Sequence, residues 1–278
     1  MRHLEILANG AVPYFPDLES MPDLTMQHHP KHLYERAKKM DGVHYDGDIL
    51  RPSSFFINTS VFSFDQYFAL AEETLKYSRE HLTTRAMAQY LLRTVGFSST
   101  DDVSKILFAT HCVDDYLQDA TLHGLKLVLK TRLIDYVPNA DRLTGCVVDR
   151  SKRDTILPNY RVNMYMDAWA ALSLENFATR KGYGKGFTIW NRLSFSEYGQ
   201  VDRTRIDDQL TSGAFDLVLL SDRCATSPEQ KSFVDAVRKS IPSRKVVILF
   251  GGDEPVSAQT FAPFVDMADW FFAREIQR

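Results

Sequence analysis

Four short apolar runs constrain this chain more than any other feature of its sequence. They are KILFAT (Lys105 to Thr110), LIDYV (Leu133 to Val137), FDLVLLS (Phe215 to Ser221) and KVVILF (Lys245 to Phe250). Each is too short for a typical helix and apolar almost throughout, without the alternation of a sheet that wets one face. Runs of this kind predict strands buried on both sides, which is the condition of a parallel sheet covered by helices. GFTIW (Gly186 to Trp190) and WFFA (Trp270 to Ala273) are weaker candidates for the same sheet.

The segments between the runs carry helical spacing. Tyr116 to Lys130 sets Leu117, Leu122, Leu125 and Leu129 towards one side, and Glu229 to Ser240 groups Phe233, Val234 and Val237. Ser227-Pro228-Glu229 reads as a helix start, with the serine as cap and the proline in the first turn. Strands alternating with helices make residues 101–278 an α/β domain with a Rossmann-like parallel sheet and flanking helices.

Residues 1–100 read differently, as an N-terminal partial α/β and helical segment. A helix followed by a strand is predicted over Glu5 to Phe15, with Asn9-Gly10 stopping the helix. A long loop rich in proline and histidine follows from Pro16 to Ser60, then helices over Phe64 to Ser78 and Thr83 to Thr94. The Gly96-Phe97-Ser98-Ser99 turn puts the domain boundary near residue 100.

Composition narrows the function classes. With 278 residues, 44% of them hydrophobic and 25% charged, the chain has the makings of a folded core and of about two domains. A formal net charge of −3 supplies no field for gripping a phosphate backbone, which argues against nucleic acid as a partner. Cys112, Cys146 and Cys224 are widely separated, so neither a disulfide framework nor a zinc knuckle is indicated. The opening residues carry Arg2, His3 and Glu5 where a signal peptide needs an apolar run, and no stretch reaches the ~20 apolar residues of a spanning helix. No membrane span and a cytoplasmic location are the expectations.

Three segments offer chemistry. A carboxylate in the first turn of the first helix, Glu5, can accept hydrogen bonds from the two neighbouring hydroxyls of a ribose, and it can equally be a solvated glutamate stabilised by the helix dipole. Arg2 and His3 lie in the same turn. Thr110-His111-Cys112-Val113-Asp114-Asp115 follows the first sheet strand, where open α/β sheets bind ligands. There His111, oriented by Asp114 or Asp115, can act as a general base, while either aspartate can instead cap the next helix.

Past the last two long runs lie Ser221-Asp222-Arg223 and Gly251-Gly252-Asp253-Glu254. Arg223 is a candidate clamp for phosphate or carboxylate, and the two acids after the glycines are either ligands for a sugar hydroxyl or cation, or plain turn residues. Gly182-Tyr183-Gly184-Lys185-Gly186 lacks the ending of a phosphate loop and reads as a turn. His28, His29 and His32 lack acidic or cysteine partners at ligand spacing and read as a surface loop, so no metal is expected.

The order Glu5-Ile6-Leu7-Ala8-Asn9-Gly10-Ala11-Val12-Pro13 resembles the C-terminal Rossmann domain of two-domain GT-B glycosyltransferases, which use nucleotide sugars. Pro16-Asp17-Leu18-Glu19, Met21-Pro22, Thr25-Met26 and Pro30-Lys31 are similar to glycosyltransferase-like proteins of bacteria and viruses. A looser similarity covers Asp115 to Asp119, Leu122 to Leu125, Gly184 to Thr188 and Asp216 to Leu220. The resemblance implies sugar transfer from a nucleotide-sugar donor to a glycan or other hydroxyl acceptor, with no cofactor beyond the donor as substrate. It implies donor binding by Glu5, Asn9 and Gly10, beside which the residues themselves offer Arg2 and Arg223 as further donor contacts and His111 with Asp114 or Asp115 for catalysis. In GT-B enzymes this helix comes after a complete first domain, whereas Glu5 lies four residues from the start of this chain. A truncated or rearranged relative, a homo-oligomer that completes the cleft, and a non-catalytic module derived from such an enzyme are the readings that follow.

Overall fold

A computed structural model describes residues 2–21, 26–48, 54–111, 115–139, 201–252 and 256–273, without the side chains of Arg2, His3, Glu5, Tyr116 and Asp119. The chain divides into two compact units, Met1–Met87 and Ala88–Arg278.

The first unit opens with helix α1 (Arg2–Ala8). Gly10 stops it in the left-handed conformation, at φ +75°. The Gly10 and Ala11 amides donate back to the carbonyls of Leu7 (3.0 Å) and Ile6 (3.1 Å), satisfying two carbonyls of the last turn. The strand expected next is not formed. Pro13 has no N–H for a ladder, and the Val12 amide donates to the Tyr67 hydroxyl at 3.4 Å.

The expected long loop from Pro16 to Ser60 also holds more structure than its composition shows. It contains helix α2 (Lys31–Lys38) and strands β1 (Val43–Tyr45) and β2 (Phe55–Ile57), the strands paired antiparallel with His44 opposite Phe56. Helix α2 buries only Leu33 and Tyr34, and each strand is three residues long, so neither leaves a periodic signature. Helices α3 (Phe64–His81) and α4 (Thr84–Thr94) lie where their spacing predicts them. The core of this unit is small: Leu7, Leu18 and Tyr34 are buried together with Val12, Phe15 and Met21 against them.

The second unit is a five-stranded, all-parallel sheet, the Rossmann-like architecture expected from the apolar runs. Its elements are β3 (Ile106–Ala109), α5 (Tyr116–Leu129), β4 (Leu133–Tyr136), α6 (Ile206–Thr211), β5 (Leu217–Ser221), α7 (Asp222–Thr226), α8 (Lys231–Ser240), β6 (Val246–Phe250), α9 (Ala258–Phe261) and β7 (Trp270–Ala273). The strand order is β4-β3-β5-β6-β7, that is, second, first, third, fourth and fifth in the chain order of the sheet. GFTIW lies outside the described residues.

Alternation along the strands builds two cores. Ile106, Phe108, Leu133, Leu217, Leu219, Val247 and Leu249 face one way, towards Leu122, Leu125 and Leu129 of α5 and Ala88, Leu91 and Leu92 of α4. Leu107, Ala109, Ile134, Val218, Leu220, Val246 and Ile248 face the other, towards Ile206 and Leu210 of α6 and Phe233, Val234 and Val237 of α8. The end of α4 therefore belongs to the sheet, which is why the units divide inside that helix, ahead of the Gly96 turn.

The edge strand β4 also carries a charge at its centre. Asp135, wholly buried, accepts at Oδ1 from Lys126 Nζ of α5 (2.8 Å) and from Arg203 (2.9 Å), and Arg203 Nε donates to the Asp135 carbonyl (2.8 Å). Lys126 gives another hydrogen bond to the Leu133 carbonyl at 2.8 Å. Two cations on one carboxylate, with backbone acceptors for the spare protons, make this burial tolerable, and the network ties the segment entering α6 to the sheet.

Candidate functional site at the carboxyl edge of the sheet

In a sheet ordered this way the chain leaves β3 to one side and β5 to the other, and ligands bind in the crevice between such strands at their carboxyl ends. The residues of this edge are held by a small number of polar side chains. Ser221, closing β5, accepts at Oγ from the His111 amide (3.2 Å) and from the Cys224 amide (3.1 Å). One oxygen thus caps α7 and joins the ends of β3 and β5. With two N–H groups donating to that oxygen, the hydroxyl proton of Ser221 remains as a donor.

Gln230, buried in the 3-10 turn before α8, performs a similar service between β3 and β4. Its Nε2 donates to the carbonyls of Thr110 (3.1 Å) and Pro138 (3.0 Å). The Gln230 Oε1 and Thr110 Oγ1 atoms are buried without a hydrogen-bond partner in the described structure. Asn139, in the left-handed region at φ +53°, donates from its side chain to the Glu229 carbonyl (2.7 Å). Asp216 works at the opposite edge, where its Oδ2 accepts from the amide and hydroxyl of Ser104, both at 2.7 Å, and clips the turn that precedes β3.

His111 is half-buried at the end of β3. Burial, reinforced by the positive charge of Arg223, holds its imidazole below the ordinary histidine range, and Glu229 partly opposes this. This shift favours the neutral imidazole at pH 7. Arg223 is exposed and forms no ion pair among the described residues. Asp222 accepts from the Arg223 amide at 2.8 Å. Burial and the neighbouring Asp115 charge push the Asp222 carboxyl above its usual range.

Asp115 takes the cap role that the sequence leaves open beside the catalytic one. Its Oδ1 accepts from the Gln118 amide at 2.8 Å, opening α5. The carboxylate also lies against Gly251 at the end of β6: a methyl group there would sit 1.8 Å from Asp115 Oδ1. Gly251 is thus required by close packing, and the first glycine of the pair after β6 is a seat for a carboxylate. Asp114, Asp253 and Glu254 lie outside the described residues, as does the Gly182 to Gly186 turn.

The remaining expected site residues belong to other elements. Asn9 and Gly10 lie at the end of α1 in the first unit, while the side chains of Arg2, His3 and Glu5 are outside the described ones. His28, His29 and His32 go to separate neighbours: Gln27 Nε2 at 3.2 Å, the Tyr34 hydroxyl at 2.9 Å and the edge of the Tyr77 ring. Among the described residues no group of three histidine, cysteine or acidic side chains is placed to hold a metal ion. Cys224 is a buried free thiol whose pKa burial raises, and Cys112 and Cys146 are outside the described residues. Ser227 does not cap, because its hydroxyl donates to Glu229 Oε2 at 2.7 Å.

The roles of Ser221 and Gln230 were the ones sequence reasoning missed. Ser221 is the first polar residue after an apolar strand, a position from which a hydroxyl reaches neighbouring loop amides, and that signal was available. Gln230 had none, since its partners are 120 and 92 residues away.

Fold and site together define a doubly wound α/β protein with polar side chains gathered at the carboxyl ends of the strands where its strand order reverses. Comparison with protein-family models, with curated proteins and with solved structures finds no match to this chain. No helix among the described residues is long and apolar enough to cross a membrane.

Proposed function

We propose that the protein is a glycosyltransferase-like enzyme that takes a nucleotide sugar and passes the sugar to a hydroxyl acceptor. The observation that carries this reading is the half-buried imidazole of His111 at the carboxyl end of β3, with the exposed guanidinium of Arg223 near enough to hold it below the ordinary histidine range. A transferase needs both: a base for the acceptor proton and a cation for the leaving diphosphate. In this reading the acceptor oxygen bonds to the anomeric carbon as its bond to the diphosphate breaks. His111 takes the hydroxyl proton, and the nucleoside diphosphate leaves with the bonding electrons. Nucleotide contacts of the first unit are a separate element of the proposal, carried for Glu5, Asn9 and Gly10 by their resemblance to the GT-B motif. The left-handed Gly10 also has open space where a Cβ would stand, which suits close approach of a ligand to the backbone.

Isothermal titration of the full chain with UDP, GDP, dTDP and their sugars tests the reading. One of these nucleotides binds the wild type, Arg223→Ala weakens that binding about tenfold, and His111→Ala leaves it intact while abolishing transfer or donor hydrolysis. Because the His111 ring stays neutral below the usual histidine range, turnover persists on acidification past pH ~6.5 before it falls. Failure of every nucleotide to bind overturns the proposal.

A second reading draws on Asp115, whose carboxylate is engaged as a helix cap and packed on Gly251. A module that keeps the scaffold and binds the nucleotide without turning it over fits an aspartate so occupied. Tight binding with neither transfer nor hydrolysis selects it.

A further inference from the structure

We infer that strand β2 pairs with β2 of a second copy of this chain, extending the two-stranded sheet of the first unit into a four-stranded one across a two-fold axis at Phe56. The bonds flanking the hairpin set its register. Asp46 donates to the Ser54 carbonyl (3.0 Å) and Asn58 to the Gly42 carbonyl (2.7 Å), so His44 and Phe56 form the hydrogen-bonded pair between them. Phe56 therefore turns its backbone groups towards β1, and Phe55 and Ile57 turn theirs to the outer edge. An antiparallel copy centred on Phe56 places each Phe55 opposite the other chain's Ile57, and these two residues exchange N–H···O=C bonds in both directions. The outer edge is thus complementary to itself, which an isologous contact demands.

Charge favours a like partner. From Ser53 to Phe64 the chain has no charged side chain, so the patch meets its own image without repulsion, and no lysine or bulge blunts the edge. Phe55, Phe56, Phe64 and Phe68 are 40%, 54%, 51% and 63% exposed. At roughly 200 Å² per phenylalanine these four rings leave about 400 Å² uncovered in total, with Phe55 and Phe56 on opposite faces of the hairpin. Ile57 and Val61 are exposed as well. An isolated hairpin of three-residue strands is marginal in water, and a four-stranded sheet is not.

Sedimentation equilibrium of the full chain reads the expected result, a concentration-dependent doubling of mass. Phe56→Lys sets two ammonium groups beside the axis and returns the protein to monomer. Phe56→Cys supplies a probe that does not rely on disrupting the fold: opposed residues of a non-hydrogen-bonded pair lie about 4.5 Å apart at Cα, within disulfide reach. Mild oxidation then links two chains through residue 56, located by peptide mapping, and the wild type, with its own three cysteines, does not form that link. A monomer at every concentration overturns the inference, as it would if a segment of the same chain covered the patch. A dimer that survives Phe56→Lys and gives no crosslink at residue 56 overturns it as well.

Discussion

The sheet unit encloses an ion network and large aromatic rings in addition to exposed pairs such as Lys231–Asp235, whereas the N-terminal unit keeps its ion pairs and several of its rings at the surface. In the sheet unit Lys126, Asp135 and Arg203 are inside, at 0%, 0% and 9% side-chain exposure, while the N-terminal unit keeps Arg36–Glu73, Lys38–Glu19 and Lys39–Glu35 at its surface. The rings follow the same pattern, with Phe108, Phe215 and Phe250 buried in the sheet unit and Phe56, Phe64 and Phe68 exposed in the other. Size accounts for much of this. A five-stranded sheet covered on both faces has enough interior to enclose a charge with its partners, whereas a unit of fewer than ninety residues with a two-stranded hairpin cannot cover all of its apolar surface. The lesson is that the two units depend on different things: the first on completing its polar bonds inside, the second on finding a cover for its rings.

The sharpest way to break the contrast is Asp135→Ala. It leaves Lys126 and Arg203 facing each other without the carboxylate that holds them, and removing one partner of a buried ion network costs about 3–5 kcal/mol. Urea unfolding followed on the full chain should show that loss in the transition of the sheet unit. A loss below about 1 kcal/mol means that the network is solvated in solution and that the two units handle charge alike. Asp135→Asn, which keeps the shape and one acceptor oxygen, falls between the wild type and the alanine variant.

Gly251→Ala tests whether the candidate site shares the tight packing of the sheet that carries it. The added methyl displaces the Asp115 carboxylate, and with it the α5 cap to the Gln118 amide. Loss of a cap costs about 1–2 kcal/mol. In a double-mutant cycle with Asp115→Ala the two changes are less than additive, because once the carboxylate is gone the methyl has room. Full additivity in the unfolding midpoints would show that Asp115 does not rest on Gly251.

How far each region can be read from sequence follows the same division. Ile106, Val218 and Val247 announce the sheet because a strand buried on both faces must be apolar along its length. Asp135 in the middle of such a run, and Lys126 among Leu122, Leu125 and Leu129, signal that a charge is enclosed, though only the fold shows that they meet, with Arg203 as the third member. His111, Asp115 and Arg223 stand at strand ends, where topology gathers ligand-binding residues, and were legible for that reason. Gln230, which bonds to carbonyls after two different strands, was not. In the N-terminal unit Phe55 to Ile57 pair with Val43 to Tyr45 over three residues, too few for alternation to register, and α2 hides behind charges that face solvent.

The smallest effect belongs to the surface of the N-terminal unit, and it sharpens the comparison by being small. Arg36 Nη1 approaches Glu73 Oε2 at 2.6 Å, shorter than either bond to Asp135 in the sheet unit, yet the two side chains are about half exposed, at 56% and 48%. Water screens both groups and competes for their hydrogen bonds, and ordering two long side chains offsets most of what remains. Arg36→Met, which keeps the stem and drops the charge, should shift the unfolding free energy by no more than about 0.5 kcal/mol, and raising the salt concentration should shrink even that. A change above about 1.5 kcal/mol would mean that distance governs the strength of these pairs, and the ranking of Asp135 over Arg36 by burial would fail.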